Sequence, residues 1–315
     1  MNKGSVGLVL ASLLVMPGQV VFAQESSGYV AYAGPERITH VAFNGQDLVW
    51  SEYSDSHTTI WMKTLGDREP AAKIKVRVLS NATFTGFVKS DNTLAMQYLT
   101  DQGFFRQAIG KAGLEPEVMA GRRSFQSFAD GTRALTQEKH PQEEREPEFV
   151  LLLETQEGAA TPSLKRSSFP GRDSQSQPDQ IRLSMGKAGK LLAVYNPFEP
   201  TTIFLIDSAG HTASRVGVHQ WEALSTEEKR LTTLFPTIYD VVVSESTGMA
   251  FVCDGRRKKV HIHELHGKYL AAIDTGNIPF SCDIQEHMLA VAVSGTGIVM
   301  FNLDDLNLDP KYLPQ

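Results

Sequence analysis

Residues 236–276 read PTIYDVVVSESTGMAFVCDGRRKKVHIHELHGKYLAAIDTG, and the architecture of the whole chain is legible in them first. Ile238-Tyr239-Asp240-Val241-Val242-Val243 is a β-branched apolar run, and the chain turns over 244–248, ending in Gly248. Met249-Ala250-Phe251-Val252-Cys253 is a second run, closed by Asp254-Gly255. Val260-His261-Ile262-His263 is a third, and Tyr269-Leu270-Ala271-Ala272-Ile273 a fourth, after a turn at Gly267. Runs this short, bounded by Gly and Asp, are strands joined by hairpins.

The unit then restarts. Pro279-x-x-x-Asp283 repeats Pro236-x-x-x-Asp240 at an offset of 43 residues. Met288-Leu289-Ala290-Val291-Ala292-Val293 repeats the second run, and Gly297-Ile298-Val299-Met300-Phe301 the third. Four strands in a unit of about 40–50 residues is the sequence form of a β-propeller blade. Weaker copies lie upstream. Second strands read at 47–50, 93–97, 133–136 and 191–195, and third strands at 58–62, 104–107, 149–153 and 202–206. The expectation is an all-β chain, a β-propeller of six four-stranded blades, with seven possible if 154–180 holds strands. That interval is rich in Ser, Pro, Gly and Gln and reads as loop. The last unit has no fourth strand of its own, because 304–315 contains Pro310 and Pro314. Gly28-Tyr29-Val30-Ala31-Tyr32 has strand character without a partner, so the N-terminal strand is expected to complete the last blade and remove its exposed edge.

Pro236-x-x-x-Asp240, Gly248-Met249-Ala250-Phe251-Val252-Cys253-Asp254-Gly255, Lys259-Val260-His261-Ile262 and Gly267-Lys268-Tyr269-Leu270 resemble the blade pattern of the NHL-type six-bladed propellers over 236–303. That resemblance implies the architecture. The family it points to includes ligand-binding and scaffold proteins as well as lactonases, arylesterases and a peptide-amidating lyase. The metal-ligand sets of those enzymes find no match in this chain.

The chain has 315 residues, 41% of them hydrophobic and 21% charged, an ordinary globular composition. Lys3 and the eleven-residue apolar run Val6-Gly7-Leu8-Val9-Leu10-Ala11-Ser12-Leu13-Leu14-Val15-Met16, broken by Pro17-Gly18, form a secretory signal that ends at Ala23. The run is too short for a bilayer, which needs about 20 residues. The expected organisation is a signal peptide over 1–23 and a single propeller domain over 24–315, exported to a periplasm or an extracellular space, with no membrane insertion after cleavage. The body from 24 onward carries 29 basic and 36 acidic groups, which argues against nucleic acid as a partner.

In a propeller the first strand of each blade lines the central channel. Asp240 and Asp283 are matched by the 43-residue offset, Arg182 follows Pro178 at the same spacing, and His40 falls within one residue of it. His40, Arg182, Asp240 and Asp283 are therefore the candidate ligand-binding set. They bind a small polar ligand or a cation, or they close the channel with salt bridges. No nucleophile elbow, dinucleotide loop or phosphate loop occurs, so no catalytic residue is assigned. The expected function is a binding or scaffold role toward a protein partner or small ligand through loops on one face, without a cofactor. The alternative is a metal-dependent lactonase or esterase-like hydrolase with a divalent cation at the channel mouth.

His261 and His263 share one strand face, but a metal needs a third ligand, and packed histidines fit as well. Arg256-Arg257-Lys258-Lys259 and the charged segment 137–148 read as solvated hairpin loops. Ser225-Thr226-Glu227-Glu228 is a capping box for a short helix within 211–235. Asn81-Ala82-Thr83 is a glycosylation sequon, meaningful only in a eukaryotic secretory pathway. Cys253 and Cys282 are the only cysteines, and export permits either a bridge between adjacent blades or two buried thiols. Cys253 ends a second strand and Cys282 lies in the next first strand, so a disulfide between them is the expectation carried forward.

Overall fold

The computed structural model describes residues 28–33, 38–53, 58–65, 72–76, 83–90, 93–100, 103–109, 115–119, 122–139, 148–155, 157–158, 160–165, 181–199, 201–217, 225–227, 230, 235–306 and 308. The signal segment 1–23, the sequon Asn81-Ala82 and most of 211–235 beyond Gly217 lie outside the described residues.

Chain order begins with β1 (Tyr29–Tyr32). Sheet 1 is β2 (Ile38–Asn44), β3 (Asp47–Tyr53), β4 (Thr58–Thr64) and β5 (Ala72–Val76). Sheet 2 is β6 (Thr83–Ser90), β7 (Thr93–Thr100), β8 (Gly103–Ala108) and β9 (Glu115–Met119). Sheet 3 is β10 (Arg122–Ser127), β11 (Arg133–Lys139), β12 (Glu148–Glu154) and β13 (Ala160–Lys165). Sheet 4 is β14 (Arg182–Met185), β15 (Leu192–Tyr195), β16 (Ile203–Ile206) and β17 (Thr212–Val216). Sheet 5 is β18 (Ile238–Ser244), β19 (Met249–Asp254), β20 (Lys259–Glu264) and β21 (Tyr269–Asp274). Sheet 6 holds β22 (Pro279–Gln285), β23 (Met288–Val293) and β24 (Gly297–Asn302), with β1 antiparallel to β24 as its fourth strand.

Every expected second and third strand lies in an observed strand to within one residue. Two expected loops are corrected. Segment 154–180 contains β13, and strands β11 and β12 extend into the charged segment as far as Lys139 and from Glu148. Cross-strand pairing of β11 with β12 continues through Lys139↔Glu148, so the hairpin arms hold residues whose charge alone suggested a loop.

Alternation along each strand builds the interior, because successive side chains point to opposite sheet faces. In β19, Met249, Phe251 and Cys253 join the core shared with sheet 6, while Val252 joins the core shared with sheet 4. Both faces of the strand are buried, so it reads as a continuous apolar run. The same logic joins sheets 6 and 1, where Phe43 and Trp50 pack with Ala290 and Met300. It joins sheets 1 and 2 through Val49 with Met96, and sheets 3 and 4 through Leu151 with Phe204. First strands touch their neighbours: β2 meets β22 and β6, β18 meets β22 and β14, and β10 meets β14. Tyr32 of β1 packs at a tilt against Trp50, 4.6 Å between ring centroids, so the N-terminal strand grips sheet 1 as well as β24.

Gly267, in the hairpin between β20 and β21, has φ +96°, and a Cβ there would lie 2.6 Å from the Arg215 carbonyl oxygen. Glycine is needed at this position for both conformation and close approach.

Candidate functional site

The candidate site is built by the first strands. In β2, β6, β10, β18 and β22 the pairing register shifts once near the start, between Ile38 and His40, Phe84 and Gly86, Arg122 and Ser124, Ile238 and Asp240, and Pro279 and Ser281. An extra residue at a bulge re-aims the side chain next to it. His40, Gly86, Ser124, Asp240 and Ser281 are therefore the equivalent residues. This corrects the sequence match: Asp240 corresponds to Ser281, 41 residues away, and Asp283 lies two positions further along its strand. The offset of 43 comes from the prolines. Pro279 opens β22, whereas Pro236 precedes β18. Proline, which cannot donate to the ladder, is tolerated at both places.

Asp240 is held by neutral donors. Its Oδ2 accepts from Ser281 Oγ at 2.8 Å and from Cys282 N at 3.2 Å, and its Oδ1 accepts from Val241 N at 2.8 Å. Burial pushes its carboxyl up to about 6, with the charge of Asp283 adding and the three hydrogen bonds opposing. Part of its surface stays accessible. A group both desolvated and reachable is what a channel lining provides.

His40 Nδ1 lies 3.0 Å from Thr39 Oγ1 and 3.4 Å from Ser51 Oγ, and its ring meets Phe84 edge to face at 5.0 Å. Burial lowers its pKa to about 4, with the charge of Arg182 acting in the same direction, so the imidazole is neutral at pH 7. Gly86, with φ +142°, lies beside this ring: a Cβ there would stand 3.5 Å from His40 Cδ2.

Arg182 opens β14, is solvent-exposed, and donates from Nη1 to the Tyr239 carbonyl oxygen at 3.5 Å. It also hydrogen-bonds the Tyr195 hydroxyl, and its charge bears on Tyr195, Tyr239 and His40. His40 belongs to sheet 1 and Tyr239 to sheet 5, so the guanidinium of sheet 4 projects among three sheets. Tyr195 feels Asp240 and Arg182 together, and burial raises its pKa.

Asp283 belongs to a different assembly. Its Oδ2 accepts from Phe43 N at 2.7 Å, its Oδ1 from Ile284 N at 2.9 Å, and Lys187 Nζ pairs with it. Lys187 sits in the hairpin between β14 and β15 and donates its own N–H to the Val243 carbonyl at 3.0 Å. Glu245 fixes that hairpin, accepting from Ala188 N at 2.9 Å and from Lys190 N and Leu191 N at 3.2 Å. The four sequence-selected residues thus divide. His40, Arg182 and Asp240 converge near the starts of the first strands, and Asp283 joins Lys187 toward their ends. Sequence reasoning misses Lys187, Tyr195, Tyr239 and Ser281. Ser281 has a signal in the repeat once the bulge is counted, whereas Lys187 is an ordinary lysine in the turn Gly186-Lys187-Ala188-Gly189.

Cys253 and Cys282 are both free and buried, which corrects the expected disulfide. The thiols lie side by side, hydrogen-bonded to each other. That contact and burial raise the Cys282 pKa, and burial raises that of Cys253. The thiolate that disulfide chemistry requires is therefore disfavoured at both. They form the floor under Asp240, which pairs across the strands with Cys253.

A divalent cation does not fit these residues. Among the described residues no group of three or more His, Cys, Asp or Glu is arranged to hold a metal ion. Asp240 is occupied by three donors, Asp283 is neutralised by Lys187, and Arg182 places positive charge in the same space. Nor do His261 and His263 supply a centre. His261 Nε2 pairs with Asp254 Oδ2 at 3.2 Å, and His263 is packed edge-on against Tyr269 with 1% of its surface exposed. An open cleft in sheet 3, lined by Ser127, Gly131, Arg133 and Glu154, contains none of the four selected residues.

No protein-family model matches the chain, and no curated protein matches it by sequence. Solved structures do match it. A protein assigned as a gluconolactonase aligns with TM-score 0.55 at 12% identity, over 91% of this chain and 94% of its own. A gluconolactonase from Xanthomonas campestris aligns with TM-score 0.52 at 15% identity, over 92% of this chain and 100% of its own. A calcium-binding protein, regucalcin from Agrobacterium tumefaciens, aligns with TM-score 0.52 at 12% identity, over 90% of this chain and 95% of its own. The fold is a β-propeller. Similarity at this level extends to architecture and not to activity. The NHL assignment has no family match behind it.

Proposed function

We propose that the chain is an exported hydrolase of the lactonase or esterase kind, a six-bladed propeller closed by its N-terminal strand. Its substrate site lies in the channel among His40, Arg182, Tyr239 and Asp240. The ring reading draws on the sheet order, on β1 alongside β24, and on sheet 6 touching both sheet 5 and sheet 1. The export reading rests on the 1–23 segment. Likeness to gluconolactonase-type structures favours a small-molecule site over a scaffold role, and the loops on which a protein partner would dock lie largely outside the described residues.

One observation carries the hydrolase reading: an exposed guanidinium on the Tyr239 carbonyl, one residue before a partly accessible carboxyl whose pKa burial has moved close to neutrality. A general base works best with a pKa near the operating pH. In this mechanism ionised Asp240 takes a proton from water as the water oxygen bonds to the carbonyl carbon. Arg182 donates hydrogen bonds to the carbonyl oxygen while it carries negative charge. The carbon–oxygen bond to the alcohol then breaks, the alkoxide takes the proton from Asp240, and a carboxylic acid is left, which ionises. His40, held neutral, adds no positive charge to that of Arg182. No step passes through a cation.

The test is turnover of a panel of sugar lactones and aryl acetates by the mature chain after exhaustive EDTA treatment. Hydrolysis that survives EDTA and falls by about 100-fold or more in Asp240→Asn is expected. Absence of turnover on every compound contradicts the reading. Loss with EDTA and recovery with Ca²⁺ moves the chain to the metal-dependent class.

A further inference from the structure

We infer that the channel site is a carboxylate site, in which Arg182 seats the carboxyl group of a small hydroxy acid. The inference rests on the hydrolase reading for the origin of that acid, since cleavage of an ester or lactone makes one, and it adds the chemical class of what the site retains.

Among the described residues, Arg182 has no carboxylate partner. Its neighbours are the Tyr239 carbonyl at 3.5 Å, a long contact, and the Tyr195 hydroxyl. A guanidinium has five N–H donors in a planar fork, so these contacts leave donors for a ligand. That fork matches the two oxygens of a carboxylate, which a lysine ammonium does not. Asp240, the residue after Tyr239 on the adjacent sheet, is tied to Ser281, Cys282 and Val241 instead. The other channel cation, Lys187, is already engaged by Asp283. Among the described residues, Arg182 is thus a positive charge with no carboxylate partner in a chain whose body carries an excess of acid, so retention of an anion here is local and not a general field effect.

Among the described residues, the groups around the seat are His40 from β2, Tyr195 from β15, Tyr239 and Asp240 from β18, and, further along the channel, the Lys187–Asp283 pair. His40 is neutral over the working range, so Asp240 is the group whose charge changes near pH 6. Ionised, it repels a bound carboxylate; protonated, it does not. Affinity for the acid therefore rises as pH falls through about 6. At higher pH the product is released more readily, in the same ionic state that serves as base.

The experiment is calorimetric titration of the mature chain with sodium gluconate, with sorbitol as the uncharged analogue and inorganic phosphate as a second anion. Gluconate should bind one to one, sorbitol should not, and phosphate should bind more weakly. Arg182→Met should weaken gluconate about 30-fold or more, as loss of charge-assisted bonds does, and Arg182→Lys should recover only part. Binding should be tighter at pH 5 than at pH 8, and Asp240→Asn should remove that difference. Because Arg182 is exposed, both variants should melt with the parent, and that is checked first. Equal binding of sorbitol, an unchanged affinity in Arg182→Met, or tighter binding of phosphate overturns the inference. The two claims separate cleanly. Hydrolysis without gluconate binding sinks the carboxylate seat alone, and gluconate binding without hydrolysis of any substrate sinks the hydrolase reading alone.

Discussion

Asp240 and Asp283 look alike in the sequence, each four residues after a proline at the head of a first strand. Their surroundings make them opposites. Asp283 meets a lysine from sheet 4 and a backbone amide from sheet 1, so its charge is matched and its carboxylate binds three sheets together. Asp240 meets only neutral donors and feels Asp283 as a second negative charge, so its ionised form is costly. Two positions along a strand separate a staple from a reactive group. Residue type and spacing announce a channel acid, but the partner arriving from another sheet decides what the acid does.

Removing the staple should have the largest effect on stability. Asp283→Ala leaves Lys187 and the Phe43 amide without their acceptor, and loss of one partner of a largely buried ion pair costs about 3–5 kcal/mol. Urea unfolding measures it. A loss below about 1 kcal/mol would put Asp283 with the exposed, weak pairs.

Acid stability distinguishes Asp240 from the histidines. His40 and His263 have folded pKa values near 4 against an ordinary 6.5, so the unfolded chain binds more protons between those limits. Stability is whole above pH 6.5 and falls as pH drops toward 4, on the order of 3 kcal/mol for each histidine. Asp240 acts in the opposite sense. Its folded pKa near 6 exceeds 3.8, so its native form gains protons, and stability, as pH falls through that window. Two groups outweigh one, and the net result is acid destabilisation. His263→Leu should flatten it, because neither ring nitrogen of His263 has a hydrogen-bond partner to lose. A pH–stability curve that rises toward pH 4 would contradict both assignments.

Lys187→Met should cost less than loss of Asp283, about 1–2 kcal/mol, because Asp283 keeps its two amide donors. It should leave hydrolysis within about twofold, since Lys187 lies toward the far ends of the first strands. A larger kinetic loss would join the two halves of the channel that the two aspartates keep apart.

Gly86→Ala is the mildest change. At φ +142° any side chain is strained, and about 1 kcal/mol is expected from the backbone alone, because the methyl would make only ordinary contact with His40. An unchanged melting temperature would show that the backbone at this bulge tolerates a side chain.

Sheets 5 and 6 are the most legible part of the fold. Their runs are rich in Val, Ile, Ala and Phe, and Gly248, Gly255 and Gly267 mark the turns. Sheet 3 is harder, because Gln137-Glu138-Lys139 and Pro162 carry loop chemistry into strands fixed by their neighbours. Three channel residues, His40, Arg182 and Asp240, are visible in the sequence because the repeat puts polar groups at strand heads. Asp283 is displaced by two positions from its apparent equivalent because Pro236 and Pro279, which suggest the match, stand at different distances from the bulge. Lys187 is invisible, since a contact across sheets leaves no local pattern. The cysteines can be brought together from strand order, but whether buried thiols oxidise depends on an electrostatic setting that spacing does not encode.

Cation-independent hydrolysis with Asp240 as its base stands or falls on the pH dependence of kcat/KM for the best lactone or ester, measured in EDTA. The rate should rise through about pH 6 in the parent chain, with a flat residual rate in Asp240→Asn. A rising limb that persists unchanged in Asp240→Asn would contradict that role.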